Sequence, residues 1–156
     1  MKRAFIGLVL TCVGLCALMV GLRADDASKE KALLSKLVGT WRMVSMKVND
    51  TENDLPKSAV TYKHVTPTGF MWLSHEKDTG KVFRAAGGTY TLRGDAYTEK
   101  VEYGLGSDFD VIKKAQHAFT CKIEGDKWYH TGKLANGITI EEVWERCKPA
   151  EKETTP

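Results

Sequence analysis

Four side chains able to do proton or ion chemistry, Arg84, Glu99, His130 and Glu142, fall where strand alternation turns them toward an apolar face. Ile138, Ile140, Glu142 and Trp144 alternate against Thr139, Glu141, Val143 and Glu145, which puts Glu142 on the apolar side. Tyr97, Glu99, Val101 and Tyr103 oppose Thr98, Lys100 and Glu102 in the same way. Trp128, His130 and Leu134 share one parity, and Phe119, Cys121 and Ile123 another. Val82, Arg84 and Ala86 lie together and continue to Tyr90 and Leu92 if the register survives Gly87-Gly88. Phe70 to Leu73 is apolar throughout, so parity is silent there, and Phe70 and Trp72 are assigned inward.

Charge on an inner face costs several kcal/mol unless it is paired, hydrated or met by a polar ligand. Three chemistries follow. Arg84 can pair internally with a carboxylate. The four groups can orient a small amphipathic or carboxylate-bearing ligand, with Trp72, Tyr90, Tyr97, Trp128 and Trp144 as apolar walls. Or Glu99 or Glu142 can act as general base with His130 as acid, in an isomerisation or hydration. A nearby arginine lowers a carboxylate's pKa, which opposes that last use, and no catalytic residue is assigned.

Other sites are excluded by pattern. His64, His75, His117 and His130 sit on different segments without paired ligand spacing, so no metal is expected. No G-x-S-x-G occurs, and Gly104-Leu-Gly106 lacks the third glycine and the βαβ setting of a dinucleotide site, so no cofactor is expected either. Asn49-Asp50-Thr51 is a short glycosylation match that a polar turn explains equally well.

Lys2 and Arg3 precede an uncharged run from Ala4 to Leu22 and a small-residue site at Ala24, the pattern of a secretory signal over residues 1–24. An exported, periplasmic or secreted domain follows, with a membrane contact only if that segment stays uncleaved. The chain carries 23 basic and 20 acidic residues; losing Lys2, Arg3 and Arg23 leaves the two signs equal. Neutrality gives no electrostatic case for a nucleic-acid partner. The remaining length suits one domain, residues 25–147, and a polar tail, 148–156. Cys121 and Cys147 invite a disulfide in an exported chain, yet they sit two strands apart, so a bridge and two free thiols both stay open. Oligomeric state is not legible.

The elements that must position these groups read as a short helix, 28–36, with Ser28 as N-cap and Leu33, Leu34 and Leu37 on one side. Strands follow at 41–49, 60–66, 69–75, 81–92, 96–103, 117–124, 128–134 and 138–146. Gly87-Gly88 marks a bulge, and the irregular connections 49–58 and 104–116 are candidate lids, the second holding a short helix. Such short strands at turn spacings near ten residues predict an all-β, antiparallel up-and-down barrel of about eight or nine strands.

Leu37-Val-Gly-Thr-Trp41, Phe70-Met-Trp72, Ala85-Ala-Gly-Gly-Thr-Tyr90, Tyr97-Thr-Glu99 and Glu142-Val-Trp144, in that order, resemble exported bacterial lipocalin-like domains of unknown function. Gly39-x-Trp41 after a short helix is similar to the lipocalin signature, and the resemblance implies that the tryptophan packs at the closed barrel end. It also implies a small-molecule ligand held non-covalently, and by analogy with fatty-acid-type barrels a role for Arg84 against a carboxylate. The alternatives are an enzyme of the same fold and an envelope protein-interaction module with a filled barrel.

Overall fold

The computed structural model describes residues 26–107, 109–113, 116–134 and 137–148. The expected signal segment and tail lie outside these, apart from Lys148. Helix α1 runs over the described residues 26–37, so Ser28 sits inside it rather than capping it. Leu33 and Leu34 face the barrel, and Leu37 is completely buried.

Nine strands follow among the described residues: β1 (Gly39–Val48), β2 (Thr51–Asn53), β3 (Ala59–Val65), β4 (Phe70–Glu76), β5 (Val82–Arg93), β6 (Ala96–Leu105), β7 (Gln116–Glu124), β8 (Lys127–Lys133) and β9 (Thr139–Arg146). A single turn, α2 (Phe109–Ile112), joins β6 to β7. Every neighbouring pair is antiparallel, and β9 pairs back onto β1 from Trp41↔Arg146 to Val48↔Ile140, which closes the sheet. The ring runs β1-β3-β4-β5-β6-β7-β8-β9, and β2 hangs on β1 outside it. Closure removes the exposed edges of an open sheet.

Strand β2 corrects the reading of 49–58 as an irregular lid. Asn49 and Asp50 adopt positive φ of 49° and 63°, the conformation of a tight two-residue hairpin turn, and so fold Thr51–Asn53 back onto β1.

Three register shifts decide which residues face inward. In β1 the shift at Val44 turns Met46 and Val48 to the same side as Trp41 and Met43. In β5 the shift at Phe83 turns Val82 outward opposite His75, against the expectation that it would share a face with Arg84. The third lies where Gly87-Gly88 marks a bulge, but the extra residue is Glu102 in β6. Strand β5 therefore keeps its parity through Tyr90 and Leu92. Gly88 makes the irregularity feasible: a Cβ there would stand 2.0 Å from the Lys100 carbonyl oxygen.

Helix α1 closes one end. Trp41 Nε1 donates to the Leu37 carbonyl at 2.8 Å, and the Arg146 guanidinium lies 4.1 Å from the Trp41 ring centre. Arg146 also donates to the carbonyls of Val38 and Lys36, the free acceptors at the helix C-terminus. Trp41 is thus core at the closed end. Phe70, Leu92, Tyr97, Trp128 and Trp144 fill the same end around it.

Candidate functional site

One of the most enclosed polar groups is one that strand parity did not nominate. Lys63 on β3 pairs in register with Trp41 on one side and Trp72 on the other, which aims it inward, and only 2% of it is exposed. Its Nζ lies 2.5 Å from Glu99 Oε1. Rings surround the ammonium: Trp128 at 5.1 Å, Phe70 and Trp144 at 5.4 Å and Tyr97 at 5.7 Å from their centres. Ring faces stabilise a desolvated cation and Glu99 neutralises it, so burial is tolerated.

This pair corrects the expected internal ion pair. Glu99 is inside as expected, but its partner is Lys63 rather than Arg84. Arg84 has inward parity, in register with Ser74, yet it lies exposed toward the open end with its guanidinium 5.5 Å from the Trp72 ring centre. A buried arginine awaiting a carboxylate is therefore not what this barrel holds. The missed signal was the alternation Thr61-Lys63-Val65, hidden because Val60 and Tyr62 make the other face equally apolar.

One layer further round, β8 and β9 place His130 opposite Glu142. His130 Nδ1 is 2.8 Å from Glu142 Oε2, which also accepts from Trp144 Nε1 at 3.0 Å. Burial, aided by the Lys63 charge, lowers the His130 pKa and outweighs the carboxylate's pull, so the ring is neutral. Burial alone would raise Glu142; the hydrogen bond and charge of His130, with Lys63 and Trp144, more than reverse it and keep it ionised. An ionised carboxylate only accepts, so the single ring proton sits on Nδ1. That makes His130 an acceptor at Nε2 and removes it as the acid of an acid/base pair.

Phe119 packs against His130 with ring centres 3.8 Å apart and planes tilted by 32°. It reaches that place because it lies across Gly132, where a Cβ would stand 2.5 Å from the Phe119 ring. His117, opposite Glu99 on β7, is also buried, with Nε2 2.7 Å from the Ile112 carbonyl oxygen of α2. The second connection, 104–116, is therefore anchored to the inner face through α2.

The five expected aromatic walls divide. Tyr97, Trp128 and Trp144 are at most 1% exposed and belong to the packed closed end. Tyr90 is partly buried against Tyr97 and donates its hydroxyl to the Thr66 carbonyl at 2.7 Å. Trp72 alone of the five stands on the open half, under Arg84. Burial drives the Tyr97 phenol well above its usual range, and Glu99 adds to it. Cys121 and Cys147 are both free thiols. The Cys147 amide is tied to the Thr40 carbonyl on β1, whereas Cys121 faces inward from β7 opposite His130, so the tail does not fold across β8 to meet it. No cluster of metal-ligating residues occurs among the described residues.

In the half away from α1, inward-facing Met43, Met46, Trp72 and Ile140 are only half-buried, and the Glu142 side chain keeps 15% of its surface exposed. Of the inner charged groups near this half, Glu142 is therefore the one that keeps contact with solvent. Fold and site together define an eight-stranded antiparallel barrel, packed and capped by α1 at one end, with buried polar groups in its interior and half-buried residues lining the other half.

The chain belongs to the DUF4488 family, a domain of unknown function, whose model matches residues 36–155. No curated protein matches it. Among solved structures it is similar to a redesigned β-barrel, at 14% identity and a TM-score of 0.48 over 74% of this chain and 96% of that one. It is also similar to the REP1-NXSQ fatty acid transporter, at 11% identity and a TM-score of 0.42 over 74% and 98% of the two chains. A variant of the fluorescent protein UnaG matches at 9% identity and a TM-score of 0.42 over 74% and 99%. The barrel assignment rests on the closed register of β1 with β9.

Proposed function

We propose that the chain is an exported barrel that binds a small amphipathic molecule non-covalently in the half facing away from α1. The observation that carries this reading is that Met46, Trp72 and Ile140 point into a closed wall yet remain partly accessible, above a floor made by His130, Glu142 and the Lys63–Glu99 pair. Apolar walls with a few fixed polar groups are what small-molecule sites use. Arg84 over Trp72 gives the rim a cation for an acidic head group. Export is supported by the leader pattern of residues 1–24.

Native mass spectrometry of the full chain, searching for co-purified small molecules, tests the reading directly, together with titration of decanoic acid followed by tryptophan fluorescence. Binding is expected, and Arg84→Ala should weaken it at least about fivefold, one charge-assisted hydrogen bond, with little change in melting temperature. Absence of any bound or titratable small molecule would overturn it.

One observation favours a second reading, an interaction module. Met71, Phe83, Tyr103 and Leu105 are exposed on the outer face of β4, β5 and β6, where Met71 and Tyr103 both flank Gly87. A barrel that proves empty and unable to bind decanoic acid would make that face the functional one.

A further inference from the structure

The inner face also carries information on the polarity of its ligand, and this inference rests on the reading of the barrel as a small-molecule site. Two buried histidines each donate from one ring nitrogen to a group that only accepts: His130 Nδ1 to Glu142, and His117 Nε2 to the Ile112 carbonyl. The other nitrogens are His130 Nε2, a bare lone pair in the neutral ring, and His117 Nδ1. Both are fully buried and neither has a hydrogen-bond partner. Buried acceptors are normally satisfied, and although the Tyr97 hydroxyl and the Trp128 N–H are likewise buried without partners, neither bonds to His130 Nε2, so that nitrogen calls for a donor from outside.

The surrounding charge narrows what brings them. Glu99 and Glu142 are already inside, and Lys63, the buried cation among the described residues, stands at 2.5 Å from Glu99. A carboxylate entering first would meet two like charges and the His130 lone pair. An ammonium entering first would meet the Lys63 charge that already bears on His130. Neutral donors meet neither obstacle.

We propose that the ligand enters donor-first: a hydroxyl or amide N–H at its buried end donates to His130 Nε2, while any acid group stays outside at Arg84. The barrel thereby selects ω-hydroxylated or amide-bearing amphiphiles over simple fatty acids.

Decanoic acid and its ω-hydroxy analogue are the probes, titrated into the full chain by tryptophan fluorescence, with long-range 1H–15N spectra of the histidine rings recorded alongside. The hydroxy acid should bind at least about fivefold more tightly, the worth of one net hydrogen bond, although an apolar pocket gains nothing from an added hydroxyl. The His130 Nε2 resonance should be that of an unprotonated nitrogen and should move with the hydroxy acid only. His130→Gln, which keeps an N–H for Glu142 and an oxygen acceptor, should retain part of the preference, and His130→Phe should lose it while still binding decanoic acid. Decanoic acid binding as well as the hydroxy acid, or a proton found on Nε2, would overturn the donor-first inference and leave the ligand-binding reading standing. Failure of both probes to bind would overturn the two together. Should His130→Phe not fold, the ring spectra and His130→Gln still decide.

Discussion

Lys63 Nζ and Glu99 Oε1 stand 2.5 Å apart with 2% and 6% of their side chains exposed, inside a ring of four aromatic residues. Removing one member of such a pair leaves the other charged and unpaired in the core, at a cost of about 3–5 kcal/mol. Lys63→Met and Glu99→Gln should each lose stability on that scale in urea unfolding. The double variant should lose clearly less than the sum, because neither charge is then stranded. Strict additivity would show that the two groups do not interact.

Acid should loosen the His130–Glu142 layer. Both pKa values are lowered in the folded chain, from ordinary values of 6.5 and 4.5. A lowered folded pKa means stability that is complete above the unfolded value and is lost as pH falls through the folded one. Unfolding free energy should therefore start to fall as pH drops below about 6.5, first through His130 and then, below about 4.5, through Glu142. In His130→Gln the first part of that decline should vanish; an unchanged profile would remove His130 as its source.

Cys121 and Cys147 should both be recovered as free thiols when the chain is unfolded and alkylated without reductant. In the native state Cys121 should be close to inert, since burial pushes its pKa up to about 12, and Cys147 should label first because it is only partly covered. A mass showing one intact bridge would contradict the structure.

Gly88→Ala should destabilise the barrel by about 1–3 kcal/mol, the range for forced overpacking, because its Cβ would stand 2.0 Å from the Lys100 carbonyl oxygen on the bulged strand β6. Gly94→Ala has open space but a positive φ of 60°, so it should cost less; equal effects would mean that backbone conformation, not crowding, governs both.

Much of this arrangement was legible one strand at a time. Alternation in Tyr97–Val101 and in Ile138–Trp144 places Glu99 and Glu142 inward, and the register agrees. Gly87-Gly88 announces a bulge, although its extra residue belongs to the neighbouring strand. Parity fails where a strand is apolar on both faces, as at Val60 to Val65, and where a bulge intervenes, as at Phe83 and Glu102; these failures hid Lys63 and misplaced Val82 and Tyr103.

By itself the sequence determines the period of each strand, the turns between them and the inventory of charges facing in, because these depend on residues a few positions apart. Only the tertiary structure decides which charge meets which. Closure of β9 onto β1 and the three register shifts bring together residues distant along the chain, Lys63 with Glu99 and His130 with its neighbours, and leave Arg84 at the rim. Pairing across a barrel depends on register, and one residue of slip exchanges every inner side chain for an outer one.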